Sequence, residues 1–477
     1  MNALLAALAV ALAAGVALTI PGGAAAVLVC LVCALAAGAM VARGEGRERT
    51  FLLRVFVAGL LVRMVVGSII NALQLENFFG GDALTYDLLG NGVADTWRAG
   101  LSLPTEVKDW AVGGGWGMLY LVAVVYRVVG RNMLAVQFVN AVLGAATAPV
   151  IFLCARHIFQ NLRVAKVAAI SVAFYPSLVL WSAQGLKDGP IVFLLSVAML
   201  ATLRLGEKIS MKYVVTLVLS MFAIFTLRFY VFYMLAAAVG GAFIIGMRPV
   251  SSRSLARQLV VVVALGVGLT YLGVLRSASV QLERYGTLQS VQTSRADLVR
   301  AANSGFGQDV DVSTASGAIS AVPIGMAYLL FAPFPWQLAS LRQSITLPEM
   351  LVWWGAFPLL VMGVWFTLSY RLRQALPILL FTVMLTLAYS IFQGNVGTAY
   401  RQRSQILVFY FIFAAVGAVL LKERREDRRR VAAHERQRSV TASRTAAEAR
   451  QRYALWKQER EKELERMAQD ISGRINF

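Results

Sequence analysis

The stretch FFGGDALTYDLLGNGVAD, from Phe78 to Asp95, sets two carboxylates, Asp82 and Asp87, just after an apolar run that begins near Phe51. Further along, Lys187 and Asp188 lie in YPSLVLWSAQGLKDGP (Tyr175 to Pro190). Arg228 stands between two apolar runs, and Arg401 and Arg403 lie in GNVGTAYRQRSQ (Gly394 to Gln405). A carboxylate can take the proton of an attacking hydroxyl, and Arg and Lys can neutralise a departing phosphate. Acids facing several cations at one interface therefore suit a lipid-linked phosphate donor. Tyr86, Trp116 and Tyr400 stand near these groups as candidate sugar contacts, since sugar rings stack on aromatic faces. Aromatic residues at span ends also form interfacial belts, and Arg401 and Arg403 would serve equally well for binding lipid headgroups.

These residues must be positioned by membrane helices. The chain has 477 residues, 58% of them hydrophobic, with a mean hydropathy of +0.67, well beyond the composition of soluble domains. Runs long enough to span are read near 3–20, 24–42, 51–72, 134–155, 165–182, 189–205, 212–227, 229–247, 258–276, 349–369, 375–393 and 405–421, each close to the ~20 residues a bilayer requires. Under this count Arg43/Arg47/Arg49, Arg156/Arg163/Lys166, Arg204/Lys208/Lys212, Arg248/Arg253/Arg257, Arg371/Arg373 and the tail after Lys422 all fall on one face. The positive-inside rule then predicts twelve spans with both termini cytoplasmic. The two large loops, 73–116 and 277–348, fall on the outer face together with the loops that carry Lys187, Asp188, Arg228, Arg401 and Arg403. Residues 117–130 are too short to span, and 320–340, interrupted at Pro333 and Pro335, are expected to be interfacial or re-entrant. The first apolar run lacks a basic leader and is expected to be retained.

Several function classes are disfavoured by the same count. All 25 acidic residues fall in loops or at span ends, unlike the intramembrane relays of ion-coupled carriers. Arg63 is the one cation near mid-span, with a snorkelling or bundle-facing role. Cys30, Cys33 and Cys154 lie within spans and give no disulfide framework. His157 and His434 fall on the cytoplasmic side, so no metal site built on histidine is expected. The net charge of +20 includes 16 Lys and Arg against 10 Asp and Glu in residues 422–477. It reports topology and an anionic leaflet rather than nucleic acid. The tail itself has helix-favouring composition.

The order of a span, GGDALTYDLLGNGVAD, the short amphipathic GMLYLVAVVYRVVG, a span ending in LCARHIF and then VAAISVAFYPSLVLWSAQGLKDGP resembles the GT-C membrane glycosyltransferases. The likeness is nearest to the bacterial branch related to protein O-mannosyltransferases and the lipid A aminoarabinose transferase. It covers roughly residues 51–210, with a weaker echo in GNVGTAYRQR. In that family an Asp in the first outer loop, followed by a Tyr, marks the active site, and Asp82 and Tyr86 match. A second acid opening a later span often assists, as Asp188 would. Two departures stand out: Gly81 replaces the first acid of an acid-acid pair, and residues 1–50 add two spans outside the usual core.

The resemblance implies an all-α polytopic enzyme of the bacterial inner membrane, with a catalytic core over 51–276, C-terminal spans over 349–421 and a cytoplasmic helical tail over 422–477. It would be an inverting transferase taking sugar from a polyprenyl-phosphate donor to a glycan, lipid or protein acceptor. Asp82 would be the base, Asp188 an orienting acid, and Lys187, Arg228, Arg401 and Arg403 the phosphate clamp. Tyr86, Asp87, Trp116 and Tyr400 would contact substrate. No cofactor is required on this reading, although a divalent cation near Asp82 and Asp188 stays open. The alternatives are an O-antigen-type polymerase or ligase relying on Arg401 and Arg403, and a non-enzymatic lipid or polysaccharide transporter.

Overall fold

The computed structural model describes residues 3–42, 46–100, 102–103, 105–112, 115–247, 252–300, 304–307, 309–338 and 340–475. Arg43 and Arg248 lie outside the described residues, as do the side chains of Arg47, Trp110, Arg253 and Arg257. The described residues form 22 α-helices and one short 3-10 turn, with a single isolated bridge between Gly305 and Asn395. Residues Met1–Gly417 pack as one compact unit and Ala418–Phe477 form another. The second unit is the remainder of the closing helix, Ser404–Ile475, exposed from Asp427 to Ala468 and carrying i,i+4 pairs such as Lys457–Glu461.

Among the described residues seven helices are long and apolar enough to cross a membrane, or up to nine if each of two bent pairs counts as one span. The chain is a multi-pass, all-helical membrane protein. Each of the twelve apolar runs is helical, yet twelve spans are not reached by length. Ala3–Thr19, Met211–Leu227 and Phe229–Ile245 have 17 residues each, the short limit for a spanning helix. In the latter two the cause is Arg228, whose extended backbone (φ −159°, ψ 90°) ends one helix and starts the next.

Helix Met133–Phe159 is the centre of the first unit. It packs against Gly23–Val41, Gly46–Ala72, Leu162–Phe174 and Asp188–Glu207. Its buried Ala141, Gly144, Ala145, Ala146 and Ala148 let neighbouring backbones approach closely. The expected span 165–182 is broken: Leu162–Phe174 and Pro176–Ser182 meet at 54°. Pro176 lacks the N–H that would continue the ladder, and the freed carbonyls need donors. Arg63 supplies them, donating to Ala173 O at 2.8 Å and to Val172 O at 3.5 Å, and its Nε also donates to the Ser182 hydroxyl at 2.7 Å. Arg63 is 1% exposed, so it faces the bundle and does not snorkel.

The segment 277–348 is more ordered than a loop. It holds Leu288–Arg300 and the apolar helix Ala315–Phe331, which packs against Leu372–Phe392. Pro323 sits inside that helix, and Pro333 and Pro335 fall after its end, so the prolines terminate the helix and do not break it. Gly117–Val129 is a 13-residue helix lying on Asp82–Ala99. The approach is so close that a Cβ on Gly90 would come within 2.5 Å of Val122.

Candidate active site

Asp82 and Asp188 each open a helix, Asp82–Ala99 and Asp188–Glu207, where the N-terminal end of the peptide dipole favours a negative charge. Arg401 lies between them. Its Nη1 donates to Asp82 Oδ2 and its Nε to Asp188 Oδ2, each at 2.6 Å. Arg228 reaches the other oxygen of Asp188 at 3.5 Å. The result is an alternating row, Asp82, Arg401, Asp188, Arg228, graded from water to interior: the Asp82 side chain is 53% exposed, Arg401 14%, Arg228 5% and Asp188 0%. Lys187, next to Asp188, sets its Nζ 6.0 Å from the ring centroid of buried Tyr86, at the outer limit of a cation–π contact.

The row carries one more positive than negative charge when Lys187 is counted. Two of its buried N–H groups, on Arg228 Nη1 and Arg401 Nη2, have no hydrogen-bond partner. Buried donors are almost always satisfied, so these atoms fit an anion with several acceptor oxygens, such as a phosphate. Burial first, and the neighbouring Arg228 next, push the Lys187 ammonium down to about 7. Burial works against charge on Arg401 too, but Asp188 and Asp82 more than offset it and raise its pKa above the usual value.

The segment bearing Arg401 is held from several sides. Helix Val396–Gln402 starts at Asn395, whose side chain accepts from Gly397 N. Phe306 N donates to Gly394 O and Val396 N to Ser304 O, fastening the approach. Tyr400 donates to Glu349 Oε2 at 2.8 Å. Arg403 is wholly buried, donating to Leu330 O at 3.0 Å and Ala332 O at 3.3 Å, with its guanidinium 4.9 Å from the Tyr400 ring centroid. Thus Arg401 joins the acids, while Arg403 and Tyr400 brace the turn that carries it.

Two further expected residues are engaged elsewhere. Asp87 accepts from Tyr126 and pairs with Arg131 at 2.5 Å, which ties Asp82–Ala99 to the neighbouring short helix. Trp116 packs edge-on against Tyr120, 5.2 Å between centroids, and Tyr120 lies beside Trp97. Sequence reasoning missed Glu349, Arg131 and Tyr126. Glu349 had one visible signal, an acid in the first turn of an otherwise apolar helix.

Among the described residues no group of three or more His, Cys, Asp or Glu could hold a metal ion. Between Asp82 and Asp188, where a divalent cation was left open, stands the Arg401 guanidinium.

Residues 116–272 match the family model for dolichyl-phosphate-mannose-protein mannosyltransferase. Over this stretch the chain is similar to the membrane glycosyltransferases of that family. No curated protein matches it significantly. The match begins later and runs further than the 51–210 segment read from motifs. It includes Lys187, Asp188 and Arg228, whereas Asp82 and Arg401 lie outside it. What ties those two residues to the matched segment is the pair of 2.6 Å bonds through Arg401.

Proposed function

We propose that this chain is a GT-C membrane glycosyltransferase that moves a sugar from a polyprenyl-phosphate carrier to an acceptor hydroxyl, with inversion at the anomeric carbon, on the outer face of a bacterial inner membrane. The family match supports the donor class. The distribution of Lys and Arg between the loops supports the face. The observation that carries the reading is Arg401, shared between the exposed Asp82 and the buried Asp188 with one N–H unsatisfied.

Asp82 takes the proton of the acceptor hydroxyl while that oxygen bonds to the anomeric carbon. The bond from this carbon to the phosphate oxygen breaks, and its electron pair leaves with the polyprenyl phosphate. As Asp82 is neutralised, Arg401 loses an anionic partner just as the phosphate gains charge. The guanidinium can then follow the charge from carboxylate to phosphate. Arg228 and Lys187 complete the clamp, and Asp188 fixes both arginines. The cationic place between the acids is filled by Arg401, so no metal is required in this scheme.

Transfer of labelled sugar from a polyprenyl-phosphate hexose in proteoliposomes tests the reading. Asp82→Asn should lower transfer by about 10²–10⁴ and retain donor binding, while Arg401→Lys should weaken donor binding. Wild-type transfer by Asp82→Asn would overturn the base assignment.

A further inference from the structure

Resting on the transfer reading above, a further site is found in a cavity that Leu84, in the first turn of the Asp82 helix, helps to line. It is a cleft of about 690 Å3 between the turn joining the first two helices and the start of the core, a volume typical of small-ligand sites, which run ~300–1,000 Å3. Its polar lining comes from Thr19, Asn71, Gln74, Glu76 and Asn77, and Leu84 forms part of its wall. Asn132, donating to Gly22 O at 2.8 Å, fastens the N-terminal turn that closes it.

The chemistry of this lining selects among ligands. No Lys or Arg lines it, which leaves nothing to bind a phosphate headgroup, and a single carboxylate is too few for a cation site. Three carboxamides, a hydroxyl and a carboxylate supply mixed donors and acceptors, which suits a neutral, hydroxyl-rich chain. Glu76 is 5% exposed and receives only a long bond from Gln137, at 3.3 Å, while buried Gln137 Oε1 has no partner. Gln74 takes a left-handed backbone, φ 51°, uncommon for this residue and the kind of strain that clusters at ligand sites.

Along the chain, Gly80 and Gly81 stand between the cleft residues Glu76 and Asn77 and the reacting carboxylate of Asp82. A Cβ on Gly80 would meet nothing within 4 Å, and one on Gly81 would meet only Asn77, at 3.4 Å. The two residues that directly precede Asp82 therefore carry no side chain and leave open space beside them, while Phe78 and Phe79 flank them on the Asn77 side. We infer that this cleft is the acceptor site, holding a neutral oligosaccharide whose terminal hydroxyl passes Gly80 and Gly81 to reach Asp82. The N-terminal helix pair, outside the matched segment, would then confer acceptor choice.

The test is a titration of the full protein in nanodiscs with a graded series of neutral hexose oligosaccharides, read by saturation-transfer NMR, alongside binding of a polyprenyl-phosphate hexose. Binding should strengthen with chain length and then level off. Asn77→Trp, which fills the cleft from an exposed position, should weaken oligosaccharide binding roughly tenfold or more, a change of ~1.4 kcal/mol, and Gln74→Ala should weaken it less. Arg401→Lys should lose donor affinity yet retain the oligosaccharide. Failure of the wild type to bind any of the series, or unaltered binding by both cleft variants, overturns the inference. A wild type that binds the oligosaccharides but not the donor overturns the transfer reading instead.

Discussion

Arg401 joins Asp82 to Asp188, donating 2.6 Å bonds across sequence separations of 319 and 213 residues. It fastens two distant helix starts to the last turn of Val396–Gln402, and its Nη2 group has no partner.

Asp82→Asn should lower transfer by about 10²–10⁴, the usual contribution of a general base. The side chain is half exposed, so the variant should insert and melt like the wild type. Initial rates at saturating donor, with a thermal melt of the same sample, check both halves.

Arg401→Ala should damage folding as well as donor binding, because Asp188 would stay buried with only the 3.5 Å contact to Arg228. Breaking a buried pair costs about 3–5 kcal/mol, and the remaining contact points to the lower end. Arg401→Lys keeps the charge but cannot reproduce the fork that spans two carboxylates. Its effect should appear chiefly in donor KM, and an unchanged donor KM would count against the clamp.

Donor affinity should fall as pH rises through about 7, where Lys187 gives up its proton. Phosphate binding favours the charged form, so binding near pH 8 should take up protons, visible as heats that depend on the buffer's ionisation enthalpy. Stability should move the other way. The folded pKa of about 7 lies below the unfolded 10.5, so the unfolded chain holds more protons between these values and stability rises with pH across that window. Lys187→Met should remove both dependences.

Tyr400→Phe should leave the buried Glu349 short of a donor, costing about 1–3 kcal/mol. Because Arg401 is the next residue, donor KM should rise while the pH profile keeps its shape. A shifted profile would show that Tyr400 acts in the chemistry itself.

Chelation should leave transfer intact, since the Arg401 guanidinium fills the position between Asp82 and Asp188 that a divalent cation would take. Loss of transfer in EDTA, restored by magnesium or manganese, would refute a metal-free clamp.

Much of the fold was legible because helix formation in a membrane is a local matter. A run of apolar residues must satisfy its own backbone, and all twelve such runs are helical. Their use as spans was less legible. The break at Tyr175–Pro176 depends on Arg63, 110 residues away from the Ala173 carbonyl that it satisfies. In the site, Asp82, Lys187, Asp188, Arg228 and Arg401 were readable as polar residues at helix ends. Asp87 was harder, since its partner Arg131 belongs to a turn with no motif of its own.

Arg401 and Arg403 mark the boundary between the two kinds of information. The sequence by itself determined that this short polar turn, with two cations, stands between apolar helices, because length and hydropathy act over neighbouring residues. Only the tertiary structure decided that Arg401 meets the acids while Arg403 turns to the Leu330 and Ala332 carbonyls. Two residues apart on a helix is more than half a turn, so the side chains face different surroundings. Which one receives the acids is set by the packing of segments hundreds of residues apart.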